Sequence, residues 1–147
     1  MDIIEKLSIV ILPILVAALL TSVIRRKHKD KERFNLACDA INFAFNSELA
    51  TLKNPSLDNP IDPYILLVAG FDKHRTAVIE FRRFLGYVCQ RKFDRTWYNY
   101  YSYDNTGKAK TDYLLKYSSG WTRKPVYECR ELAIKNIEKL LKFVKHK

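Results

Sequence analysis

With 147 residues the chain has room for one domain of ordinary size, and 48% hydrophobic and 29% charged residues exclude a disordered chain. The three cysteines, Cys38, Cys89 and Cys129, are far apart and odd in number, which excludes a disulfide framework and a zinc knuckle and fits a reducing compartment in which each packs as a small apolar side chain. The net charge is +10, and residues 34–147 alone carry 19 Lys and Arg against 12 Asp and Glu, so the chain favours anionic surfaces: phospholipid headgroups, nucleic acid or an acidic protein.

Residues Leu7 to Ile24 form an uncharged run of 18, twelve of them large aliphatics. As a helix the run is about 27 Å long, close to the thickness of the hydrocarbon core. At roughly 0.3 to 0.6 kcal/mol per aliphatic, insertion is favoured by about 4 to 7 kcal/mol, which outweighs the defect expected from a kink at Pro13. Lys6 alone precedes the run, whereas Arg25, Arg26, Lys27, Lys29, Lys31 and Arg33 come directly after it. The positive-inside rule therefore leaves the first residues outside and places the C-terminal remainder in the cytoplasm. Asp2 and Glu5 before the run, and cations after it, argue for an uncleaved anchor and against a signal peptide. We thus expect an anchor over 1–24, a polybasic juxtamembrane linker over 25–33 whose six cations can contact anionic lipid headgroups, and a cytoplasmic domain over 34–147.

The domain reads as all-α, a bundle of about four helices. Phe34, Cys38, Ile41, Phe45, Leu49 and Leu52 make one apolar stripe of a helix over Lys31–Leu52. Leu36, Ala40 and Phe43 lie on its other side, so either the helix is central to the bundle, which is the simpler reading, or Leu36 and Phe43 face a partner. Prolines and asparagines make Lys53–Pro63 a connection, with Asp62 and Pro63 suited to start the next helix. Tyr64–Ala69 reads as a short helix broken at Gly70, followed by Lys73–Leu85 with Phe71, His74, Val78, Phe81 and Leu85 on one side. Gly86 ends that helix, and Val88–Tyr101 forms another with Cys89, Phe93, Trp97 and Tyr100 or Tyr101 inward. Asp104, Asn105 and Gly107 mark a turn. Lys108–Pro125 is compatible with a short helix or a strand pair, and Val126–Val144 is an amphipathic helix with Val126, Cys129, Ala133, Ile137, Leu140, Leu141 and Val144 on one stripe.

Few residues here point to chemistry. No H-E-x-x-H, G-x-S-x-G or P-loop pattern occurs, and we expect no catalytic, metal or cofactor site. His74 is the one histidine placed on an apolar helical face. It reads either as a neutral, hydrogen-bonded core residue or as a pH-sensitive site residue working with Glu80 or Asp72. Arg82, Arg83, Arg91, Lys92 and Arg95, leading into Trp97, Tyr98, Tyr100 and Tyr101, suit a partner surface or contact with single-stranded nucleic acid, because cations meet phosphates and rings stack on bases.

The segments KHRTAVIEFRRFL (Lys73–Leu85), FDRTW (Phe93–Trp97) and NIEKLLKF (Asn136–Phe143) resemble a set of small uncharacterised bacterial proteins with one N-terminal span. The resemblance implies a bacterial inner membrane and a helical domain; it supplies no activity and no functional residue. The function expected is a single-span membrane protein whose basic domain binds a protein partner or a second copy of itself, with membrane-tethered nucleic-acid binding as the alternative.

Overall fold

The computed structural model describes residues 3–55, 61–102 and 114–145, with side chains from residue 15 onward, and among these residues the regular structure is entirely helical. Helix α1 runs from Ile3 to Lys53 without interruption. It is followed by α2 (Pro63–Arg82), α3 (Tyr87–Tyr101), a 3-10 turn (Leu115–Tyr117), the single-turn α4 (Ser119–Thr122) and α5 (Val126–Leu141). Four long helices therefore build the bundle.

At about 1.5 Å per residue α1 is roughly 76 Å long, far more than the domain needs. Its second half carries the core: Phe34, Ala37, Cys38, Ile41, Ala44, Phe45 and Leu52 are buried. Its first half stands clear of the bundle, with every residue from Leu15 to Ile24 exposed. Among the described residues no helix is long and apolar enough to cross a membrane. The apolar run expected to do so begins at Leu7, and its residues 7–14, Pro13 included, lie outside those whose side chains are described. The stretch Arg25–Arg33 is no separate linker but an unbroken part of α1, because it contains neither Gly nor Pro and its Lys, Arg and Glu are good helix formers.

Asp62 opens α2 as expected. Its Oδ1 accepts from the Tyr64 N–H at 2.9 Å with Pro63 in the first turn, and its Oδ2 accepts from the Ser119 N–H and hydroxyl at 3.2 and 3.0 Å. One carboxylate thus caps α2 and holds α4 against it. Helix α2 then runs antiparallel to the second half of α1, bringing Phe81 and Phe84 to Phe34 with ring centroids 6.0 and 6.1 Å apart. Helix α3 returns along α2 through Phe93 on Phe81, and α5 closes the bundle with Phe143 on Phe93. The Cys38 thiol donates to the Lys145 carbonyl across this end of the bundle.

Several expectations are corrected. Gly70 is not a break but lies inside α2, under the Glu48 side chain of α1: a Cβ there would sit 2.5 Å from Glu48 Oε1 and 3.0 Å from the His74 ring. Leu36 and Phe43 are not covered by the bundle; they are 66% and 78% exposed on the outer face of α1. Cys89 is exposed, since the first turn of α3 projects beyond the core. No strand occurs among the described residues of 108–125, and the turn expected at Asp104, Asn105 and Gly107 lies outside the described residues. Leu114 enters the 3-10 turn with φ of 68°, a left-handed conformation costing a branched residue about 1 kcal/mol or more, and it is held there by full burial and by its N–H donating to the Tyr101 carbonyl at 3.0 Å.

Gly70→Ala should lower stability by about 1 to 2 kcal/mol, although alanine is the better helix former, because the added methyl drives Glu48 from its partners. Thermal unfolding of the detergent-solubilised protein checks this, and a stabilised variant would show that the approach is not tight.

Candidate functional site

The polar residues of the interior converge on His74, which α2 projects between α1 and α3 with no exposed surface. Its ring lies flat on Phe45, centroids 4.1 Å apart and 9° between planes, and Tyr100 meets Phe45 edge-on. The Tyr100 hydroxyl is 3.0 Å from Nδ1, and Glu48 Oε2 faces Nε2 at 3.6 Å. A carboxylate would repel a ring nitrogen lone pair, so the proton belongs on Nε2 and Tyr100 donates to Nδ1. At 3.6 Å the Nε2–H falls short of a hydrogen bond, and it is the one buried side-chain polar atom without a partner among the described residues.

Glu48 is an acid that periodicity did not single out. Burial works against its charge, but hydrogen bonds from the Ser47 hydroxyl at 2.6 Å and the Lys73 ammonium at 2.9 Å outweigh it, and the carboxyl is held below its ordinary pKa. Burial pushes His74 down as well, and the opposing pull of Glu48 and the Ala44 carbonyl does not restore it. Neither Glu80 nor Asp72 is its partner: both are exposed, and Glu80 pairs with Arg83. Glu48 was detectable, because it lies three residues after Phe45 on the same stripe of α1 that faces His74.

The chain of polar contacts continues away from α1. The Tyr117 hydroxyl donates to the Tyr100 carbonyl at 2.7 Å and accepts from Asn136 Nδ2 at 2.9 Å, linking α3, the 3-10 turn and α5. Burial raises the pKa of both tyrosines, which keeps them neutral donors. Lys116 donates to the Asn99 and Ser102 carbonyls at the end of α3, and burial lowers its pKa to about 8. His74, Tyr100 and Tyr117 have no exposed surface, and their network ties four helices together.

What the molecule offers to a partner lies on its surface. Between α1 and α2 runs an open groove of about 460 Å³, lined by Ala40, Phe43, Ala44, Thr76 and Ala77, with Asp72, Lys73 and Glu80 on its rim. Phe43 stands beside a floor of small residues. Leu36, Ala40, Phe43, Ser47 and Ala50 are all exposed at alternating spacings of four and three, a straight stripe along the helix.

The basic residues singled out in 82–98 do not form one cationic face. Arg82 is held by Asp94 through Nε at 2.6 Å and Nη2 at 2.7 Å, and Arg83 by Glu80 at 3.1 Å. Trp97 stacks between Phe71 and Tyr100, with centroids 5.8 and 5.2 Å away, and Tyr98 packs edge-on against Tyr101. Arg91 lies over the Tyr87 ring at 5.9 Å, while Lys92 and Arg95 make no ion pair among the described residues. Trp97 and Tyr101 stay partly exposed, and with Phe71 and Arg75 they line an open pocket of about 180 Å³. The six cations of 25–33 all lie on the exposed stretch of α1 between its apolar start and the bundle. Among the described residues no three His, Cys, Asp or Glu side chains come together as a metal site.

Because the folded state holds His74 neutral while the unfolded chain protonates near the ordinary value of about 6.5, its contribution is complete above that pH and lost as pH falls. Glu48, depressed as well, adds a second loss below its ordinary value of about 4.5. Unfolding free energy should therefore drop from pH 6.5 downward, and His74→Gln, itself costing about 1 to 3 kcal/mol, should flatten the upper part of that profile. A His74→Gln profile parallel to that of the unaltered protein would contradict the assignment.

No family model, curated protein or solved structure matches this chain.

Proposed function

We propose that this chain is a single-span protein of the bacterial inner membrane whose cytoplasmic helical domain docks another protein, or a second copy of itself, on the outer face of α1. The observation that carries the reading is the division of labour along one helix. From Leu15 to Ile24 the aliphatic side chains of α1 are exposed, from Phe34 to Leu52 the same helix carries the core, and there its opposite face leaves Leu36 and Phe43 uncovered. An apolar run ending in six cations supports insertion with those cations on the cytoplasmic side. Isolated exposed aliphatics are common on soluble surfaces, but an exposed phenylalanine beside an apolar groove with a polar rim is the pattern of an interaction site.

The groove suits an α-helix. Its floor of Ala40, Ala44 and Ala77 admits a large apolar side chain, and Phe43 offers the matching knob, so two copies related by a twofold axis could satisfy each other as readily as a helix of another protein. With Arg82 and Arg83 paired and Trp97 stacked between Phe71 and Tyr100, we rank nucleic-acid binding by residues 82–98 below this reading.

Replacing Phe43 with a photoreactive phenylalanine in the full chain, expressed in its membrane, should give one discrete crosslinked species on irradiation, either a dimer of this chain or a single heterologous product. The same probe at Arg95 should give much less. Crosslinks to lipid alone, or none, would reject the groove as a docking face.

A further inference from the structure

The end of the bundle nearest the exposed apolar half of α1 is built from three pieces of chain. Phe34 of α1 meets Phe81 of α2 and Phe84 of the α2–α3 turn, which continues through Leu85 and Gly86, and the carbonyl of Lys145 reaches Cys38. Where the turn leaves the core it exposes Tyr87 and Val88, 72% and 65% accessible, with Arg91 over the Tyr87 ring and Lys92, also exposed, next in sequence. Between this corner and α1 lies a cleft of about 400 Å³ lined by Lys27, Asp30, Lys31, Phe34 and Phe84. An amphipathic aromatic, an exposed aliphatic and cations unpaired by carboxylates among the described residues thus lie together at one end of the molecule. This is the side-chain mixture that suits the boundary between headgroups and acyl chains.

Helix geometry places that corner at the right height. If Ile24 marks the edge of the hydrocarbon, Lys27 and Lys31 lie about 5 and 10 Å beyond it along α1, and the headgroup layer is about 5 to 8 Å thick on each side. Phe84 shares the cleft with both lysines, so the α2–α3 turn stands at the outer edge of the headgroup layer, from which long cationic side chains reach the phosphates. Since α1 has no break between Ile24 and Phe34, the bundle cannot swing away on a linker.

We infer that the α2–α3 corner is a second membrane contact: Tyr87 and Val88 enter the headgroup layer, Arg91 and Lys92 meet anionic phospholipid, and the cleft at Lys27 and Lys31 takes a lipid phosphate against the Phe34–Phe84 wall. This rests on the anchor proposed under the function of the chain. It gives the domain a fixed orientation, in which the groove at Phe43 is presented sideways to neighbours in the plane of the bilayer.

Cys89 is exposed next to Val88, whereas Cys38 and Cys129 are buried, so a polarity-sensitive dye on the native thiol reports on the corner without substitution. The labelled full chain is reconstituted into phosphatidylcholine vesicles with or without roughly a third phosphatidylglycerol, and flotation is scored alongside dye emission and quenching by a water-soluble quencher. Expected are flotation with both vesicles, and a blue-shifted, severalfold less quenched dye only where anionic lipid is present. In Arg91→Glu/Lys92→Glu, two exposed positions where folding is not at stake, the ratio of docked to free corner should fall about fivefold per cation removed while flotation persists. A chain that floats but keeps its dye equally wet in both lipids overturns the corner contact and leaves the anchor standing. A chain that does not float overturns both. A dye shielded in both lipids and in the double variant shows that protein, not lipid, covers the corner, and also overturns the inference.

Discussion

The structure depends on the continuity of α1. Every long helix of the bundle packs directly or through one neighbour against residues 34–52, and the same backbone hydrogen-bond ladder continues back through the cations to Leu15 and beyond. A helix this long does not persist on propensity alone; tertiary packing secures one half. The other half leaves its aliphatics from Leu15 to Ile24 exposed, and lipid is their proposed cover. Under the proposed function, the unbroken helix through 25–33 makes that half an orienting strut.

The bundle itself is specified by an interplay of shape and polarity. Apolar stripes bring the helices together without fixing their rotation, and the Glu48–His74–Tyr100 contacts fix it. Gly70 lets α1 and α2 approach closely enough for Glu48 to reach Lys73, and Phe45 clamps the imidazole from the other side. A buried neutral histidine facing a buried carboxylate is expensive unless its neighbours are placed correctly, so wrong packings are penalised more than the native one is rewarded. These contacts lie in the interior, and the proposed recognition uses surfaces that α1 leaves open.

Much of this was legible in the residues. The stripe from Phe34 to Leu52, the start of α2 at Asp62 and Pro63, the inward Phe93 and Tyr100, and the stripe of α5 come from periodicity and capping. The features that were not legible depend on contacts distant in sequence. Gly70 reads as a break because its use is a close approach to a helix more than twenty residues earlier, and Glu48, although on the Phe45 stripe, shows no role until His74 is placed opposite it. The cations of 82–95 look like one patch in one dimension, yet Asp94 and Glu80 neutralise two of them in three. Residues around Leu115–Tyr117 carry aromatics without a period, because a 3-10 turn entered through a left-handed leucine has none to show.

Spin labels at Leu20→Cys and Asn46→Cys, in the full chain with Cys89→Ser and held in lipid nanodiscs, measure most directly whether a single helix passes from lipid into the core. A narrow distance distribution near 39 Å, the helical rise between the two positions, is expected. A broad or markedly shorter distribution would place a hinge among the cations, and a chain that stays outside the discs would remove the membrane from the picture; either result contradicts the continuous anchor.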